Sequence, residues 1–179
     1  MSKLAVEGGT PLRVEPYPPR KQIDKREILA VMELMLDAEE GGAFDRYGGV
    51  HVDAYEQEFA HYVGVPYATA CSAGTAAIHT ALGALQIEPF SEVVSSPITD
   101  PGAVMPILWQ NCIPIFADAD PDTMNMCPDS LRRVITDKTA AIICGHIAGN
   151  PCDMESIVAI AREHHIPLIE DCAQAHDAE

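Results

Sequence analysis

The sequence predicts an α/β fold of three layers, with a mainly parallel sheet held between helices. Two observations carry this. From Tyr67 onward, short apolar runs alternate with longer amphipathic ones in a repeated strand–helix rhythm. The runs read as strands are apolar throughout rather than alternating, the pattern of strands buried on both faces.

The elements follow in order. Residues 1–23 hold Gly8-Gly9, Pro11, Pro16, Pro18 and Pro19, which makes them an irregular amino-terminal arm. Asp24 is placed to cap a helix in which Ile28, Leu29, Val31, Met32, Met35 and Leu36 recur at helical spacing up to Gly41-Gly42. A Gly-rich turn, Tyr47-Gly48-Gly49, follows. Asp53 then opens a second helix with Tyr55, Phe59 and Tyr62, closed by Gly64. Next come a strand from Tyr67 to Cys71, a helix from Gly74 to Leu85, a strand from Val93 to Ser95 and a helix from Gly102 to Gln110. A strand from Cys112 to Ala117 leads into the polar turn Asp118 to Asp122 and a short helix from Asp129 to Ile135. Ala140 to Cys144 is a strand, Asp153 caps a helix running through His164, and Ile166 to Ile169 is the last strand. There is no internal repeat, low-complexity tract or shift of composition, so residues 24–179 read as a single, partial domain. The last strand ends ten residues before Glu179 with no closing helix, and a truncated chain is expected.

Charge and composition narrow the function. The 27 acidic residues against 11 basic ones give a formal net charge of −16, which repels phosphate backbones and argues against nucleic acid. The longest apolar stretches, such as Cys112 to Ala117, are too short to cross a bilayer, so no membrane is expected. Met1-Ser2-Lys3-Leu4 lacks the apolar run of a signal peptide, which leaves the cytoplasm as the expected location. None of the six cysteines is in C-x-x-C spacing, and most sit in apolar runs, as buried free thiols do.

Chemistry is expected outside the carboxyl ends of the strands, where open parallel sheets bind ligands. Ser72-Ala73-Gly74-Thr75-Ala76-Ala77 lies between a strand and a helix. Its small residues admit a ligand close to the backbone, and the helix start offers free N–H groups to a phosphate. Close packing alone also explains such a turn. It is neither a P-loop nor G-x-G-x-x-G. Glu170-Asp171-Cys172-Ala173-Gln174-Ala175-His176 follows the last strand. A carboxylate there can meet a metal, a ribose hydroxyl or a protonated ring nitrogen, or simply cap a following helix. His146 falls on the same rim. His79 reads as a packing residue and His164-His165 as a solvated helix end. The histidines do not cluster at metal spacing, so no metal site is expected. No nucleophile paired with a base is apparent.

With the segments between them, these motifs resemble the DegT/DnrJ/StrS family of sugar aminotransferases, pyridoxal-phosphate (PLP) enzymes of fold type I. Leu4 to Pro11 is similar to the family's opening arm, and Phe44 to Gly49 with Tyr55-Glu56 to its Gly-rich loop and following helix. Gly74-Thr75-Ala76-Ala77 resembles the phosphate turn, Pro114 to Thr123 the segment before the central helix, and His146 to Pro151 with Asp153-Met154 the stretch before the next. Ile169 to His176 resembles the aspartate motif.

The resemblance implies pyridoxal 5′-phosphate as cofactor, held in the large domain of that fold. Asp171 would pair with the pyridinium nitrogen, Gln174 would bond the ring hydroxyl, Ala173 would pack on a ring face, and Gly74 and Thr75 would hold the phosphate. Tyr47, His146 and His176 are candidate substrate contacts. The implied reaction moves an amino group from glutamate or glutamine to a keto-sugar or keto-cyclitol, in a homodimer. Departures accompany the match. The family's Schiff-base lysine lies well beyond the aspartate, whereas this chain ends eight residues after Asp171 and its lysines are Lys3, Lys21, Lys25 and Lys138. The small carboxy-terminal domain is missing as well. Asp100 falls at the cofactor site, where many members stack an aromatic residue on the ring. An acidic residue loses that contact, and the readings left open are that it binds the amino donor or a sugar hydroxyl instead, or marks a subgroup with a different ring environment. Asp177 stands where glycine is usual. Pro89-Phe90-Ser91-Glu92 lacks the usual Gly-Asp. Besides a truncated aminotransferase, the sequence leaves open a split enzyme and a non-catalytic sugar- or partner-binding protein that keeps the cleft.

Overall fold

The computed structural model describes residues 3–19, 22–41 and 48–178. The chain forms two compact units, Met1–Ala54 and Tyr55–Glu179.

In the first unit the arm is irregular apart from one 3-10 turn at Ala5–Glu7. Helix α1 spans Lys25–Glu39. Its start is fixed by a capping box, in which Arg26 N–H donates to Asp24 at 2.7 Å and Asp24 N–H donates to Glu27 at 2.7 Å. Its apolar stripe is uncovered: Ile28, Leu29, Val31, Met32, Met35 and Leu36 are each more than half exposed. Helix α2 spans Val50–Val63 and straddles the division of the chain, most of it falling in the second unit. It begins three residues before the expected Asp53, because Asp53 N–H already bonds Gly49 O at 2.9 Å and so lies inside the first turn. Gly64, with φ +77°, ends it in the left-handed conformation glycine adopts without strain.

The second unit is built on four parallel strands: β1 (Glu92–Ser95), β2 (Ile113–Phe116), β3 (Thr139–Gly145) and β4 (Leu168–Asp171), in the order β2-β1-β3-β4. Successive side chains point to opposite faces, so each strand feeds two cores. Val93, Ala141 and Ile143 face Ile78 and Leu82 of α3 (Gly74–Ala84) and Ile107 of α4 (Met105–Trp109). Val94, Ile142 and Cys144 face Leu131 of α5 (Pro128–Val134) and Ile157 and Ile160 of α6 (Met154–Glu163). These residues are almost entirely buried, and burying each large aliphatic side chain contributes about 1.5–3 kcal/mol. The three layers expected from the sequence are therefore present.

Three elements differ from expectation. Tyr67 to Cys71 makes no ladder with any described strand, and Ala70 N–H bonds the Glu56 carboxylate at 2.7 Å instead. The helix expected from Gly102 to Gln110 is a 3-10 turn, Pro101–Ala103, followed by α4. Pro106 explains the break: inside a helix begun at Gly102, its ring would collide with the carbonyl four residues back, so α4 restarts with proline in its first turn. Strand β4 begins later than Ile166 and runs on through Asp171, which pairs in register with Gly145. The aspartate thus sits on the last rung of the sheet rather than beyond it. Cys112, Cys144 and Cys152 are buried free thiols, while Cys71 and Cys172 are exposed.

Candidate functional site

The carboxyl ends of β1, β3 and β4 bring most of the candidate residues together. The order β2-β1-β3-β4 places β1 and β3 side by side with their crossovers running to opposite sides, which opens a crevice at their ends.

On one wall is the start of α3. Its N-cap is Ala73, which has no side chain to bond the first-turn N–H groups. Among the described residues none accepts from those donors, which leaves them for an outside acceptor. Gly74 is exposed, with nothing near the position a β-carbon would take. Thr75 is half-buried and points toward the 3-10 turn after β1. Asp100 caps that turn, its Oδ1 accepting Gly102 N–H at 2.8 Å. A β-carbon on Gly102 would lie 2.5 Å from Thr75 Oγ1 and 2.9 Å from Asp100 Oδ1, so hydroxyl and carboxylate converge where glycine leaves room.

The opposite wall is the end of β4. Asp171 is half-buried, and its Oδ1 accepts Ala173 N–H at 3.0 Å. No described residue donates to its other oxygen. Gly145 sits between the walls: a β-carbon there would lie 3.8 Å from Thr99 Oγ1 and 3.8 Å from Asp171 Cβ. Ala173, Gln174 and His176 are exposed on the segment beyond. Gln174 Oε1 accepts Ala148 N–H at 2.8 Å, tying this segment to the 3-10 turn Ile147–Gly149 after β3. Ala148 is held there at φ +55°, a conformation few alanines adopt.

His146 lies under this rim, 4% exposed. Its Nδ1 accepts Cys152 N–H at 3.0 Å, so the neutral ring carries its proton on Nε2, which meets Glu170 Oε1 at 2.7 Å. Burial opposes a charge on the ring, but the contacts with Glu170 and Cys152 outweigh it and raise its pKa from 6.5. With both nitrogens engaged, His146 holds the loop rather than facing the crevice. His146, Glu170 and Cys172 offer ligand atoms within 4.8 Å of one another. Burial followed by the Glu170 carboxylate pushes the Cys172 thiol up, so a cation here would have to displace protons from both the thiol and the histidine. Tyr47 lies outside the described residues.

Asn125 went unnoticed in the sequence. It is 2% exposed. Its amide donates to Asn150 O at 2.8 Å and Pro151 O at 3.1 Å, and its Oδ1 accepts Ile147 N–H at 2.9 Å. It braces the loop that in turn holds Gln174. The only sequence signal was a polar residue flanked by Met124 and Met126. His79 packs edge-on to Trp109, ring centroids 5.5 Å apart, as a packing residue should.

The chain has relatives among known proteins. The DegT/DnrJ/EryC1/StrS aminotransferase family matches residues 22–179. The chain is 34% identical to L-glutamine:2-deoxy-scyllo-inosose aminotransferase of Streptomyces fradiae, over 99% of this chain and 42% of the relative. It superposes on the aminotransferase from Psychrobacter cryohalolentis with a TM-score of 0.82 at 37% identity, covering 90% of this chain and 40% of that one. It superposes on GDP-4-keto-6-deoxymannose-3-dehydratase with a trapped PLP-glutamate geminal diamine with a TM-score of 0.80 at 27% identity, over 92% of this chain and 43% of that one. The chain therefore spans well under half the length of these relatives.

Proposed function

Because the chain belongs to the DegT/DnrJ/EryC1/StrS aminotransferase family, we propose that it is the cofactor-binding part of a PLP-dependent enzyme that transfers an amino group to a keto-sugar or keto-cyclitol. The observation that carries this is the pairing of an uncapped helix start at Gly74 with a half-free carboxylate on Asp171 across one crevice. The first offers N–H donors to a phosphate, and the second offers charge to a protonated ring nitrogen.

Pyridoxal phosphate, when bound, supplies an electron sink for the carbon that bears the amino group. The chain's residues bind and orient. The first-turn N–H groups of α3 and the Thr75 hydroxyl hold the phosphate. Asp171 keeps one oxygen on Ala173 N–H, which fixes the carboxylate, and turns the other to the ring nitrogen. Ala173 packs on a ring face, and Gln174 presents its amide to the ring hydroxyl while its carbonyl holds Ala148. His146 and Glu170 keep this rim in place from below. His176 and Tyr47 are proposed substrate contacts. Lys138 precedes β3 and so lies on the rim opposite the crevice. Glutamate or glutamine as donor, a homodimer and a cytoplasmic setting complete the proposal.

Titration of the chain with pyridoxal phosphate, followed by absorbance and calorimetry, tests it. Asp171→Asn keeps an acceptor for Ala173 but removes the charge, and affinity should fall about tenfold or more. Equal affinity in the two proteins would sink the assignment of Asp171.

A further inference from the structure

We propose that Asp100 makes the phosphate turn selective for a phosphate ester that carries an ammonium group beside its phosphate, over one that does not. The inference rests on reading the start of α3 as a phosphate turn, and adds a specificity to it.

Three observations support it. Asp100 is fixed. Its backbone is extended, at φ −67° and ψ 143°, Pro101 follows it, and its Oδ1 accepts Gly102 N–H at 2.8 Å. The carboxylate cannot swing away without uncapping the turn. It also lies beside the threonine read as a phosphate ligand: Asp100 Oδ1 and Thr75 Oγ1 would stand 2.9 Å and 2.5 Å from a β-carbon on Gly102. Finally, it is uncompensated. Asp100 is exposed, and no lysine or arginine among the described residues pairs with it.

A carboxylate so near a bound phosphate raises the energy of a ligand that brings only negative charge. The amino end of α3 offsets part of this and does not cancel it. A ligand with its own cation next to the phosphate turns the same carboxylate from a cost into a partner. Pyridoxamine phosphate has that form, with an aminomethyl group on the ring carbon adjacent to the phosphate-bearing arm. Pyridoxine phosphate has a hydroxyl in place of the amine and is otherwise matched. Asp100 thereby favours the aminated state of the cofactor while it waits for its keto substrate.

The test is calorimetric titration of the chain and of Asp100→Asn with pyridoxamine phosphate, pyridoxine phosphate and inorganic phosphate. Asparagine caps as well as aspartate, so the turn is retained. Should that variant misfold by its thermal midpoint, Asp100→Ser caps without charge and replaces it. The native chain should prefer the amine over the alcohol by about tenfold, and the variant by no more than about twofold. Inorganic phosphate should bind the variant several-fold more tightly. Equal affinity for amine and alcohol in the native chain, or a preference that survives the substitution, overturns the role of Asp100 and leaves the phosphate turn standing. Failure of all three ligands to bind either protein overturns the phosphate turn itself, and this inference with it.

Discussion

Gly102 and Thr75 meet so closely that the contact admits no side chain at position 102: a β-carbon there would fall 2.5 Å from the threonine hydroxyl oxygen. Gly102→Ala should therefore displace Thr75 and crowd the Asp100 cap together. The expected loss is about 1–3 kcal/mol of stability, measured by urea unfolding. Phosphate binding should weaken in the same variant, since the hydroxyl is moved. An unchanged midpoint would show that the turn relaxes freely.

Asn125 offers a sharper test of how the loop after β3 is held. Asn125→Ala removes three hydrogen bonds from a site that water does not reach. The variant should lose about 2–4 kcal/mol. Hydrogen exchange at Ile147 should accelerate more than exchange in β1. If both segments loosen equally, the asparagine stabilises the domain as a whole rather than this loop.

The acid response follows from caps on exposed turns. The contact with the Arg26 side chain lowers the pKa of Asp24, the Thr123 N–H that of Asp120, and the Ser156 contact that of Asp153, each from a usual 3.8. A folded-state pKa below the unfolded one contributes stability that is complete above the unfolded value and is lost as pH falls through the folded one. The thermal midpoint should hold down to about pH 4 and drop below it. Asp120→Asn with Asp153→Asn should make that drop shallower, because asparagine caps without titrating.

The stripe on α1 carries a prediction about handling. Six apolar side chains, from Ile28 to Leu36, are each more than half exposed on one helix. Contiguous apolar surface of this kind drives association. Met32→Glu with Leu36→Glu should reduce light scattering and dye binding by the chain while leaving the melting of the sheet unchanged.

Much of this was legible in the sequence, for reasons that also explain what was not. The helix at Asp24 and the cap at Asp153 were readable because an acidic side chain followed by an apolar period has one local outcome. The two-sided core was readable because Val93-Val94 and Ala141 to Cys144 are apolar at every position. Tyr67 to Cys71 looked the same in composition, but a strand is a pairing, and composition cannot supply a partner. The split at Pro106 was written in the sequence, yet two apolar turns read together as one helix. In the candidate site, Thr75 and Asp171 were legible from their positions after apolar runs read as strands, whereas Asp100 was singled out only by the family resemblance. Asn125 was not, since its value lies in carbonyls about 25 residues away in the chain.

The sheet order also sets the timing of folding. Every pairing among β1, β2, β3 and β4 is parallel, so no two neighbours are joined by a hairpin. Nothing local can nucleate the sheet, and β1 reaches β3 only after the intervening β2 and α5 have been looped out. In pulse-labelled exchange during refolding, the amides of α6 should gain protection before those of β1 and β3. The crevice, which exists only where those two strands lie side by side, should then be among the last features of the molecule to form.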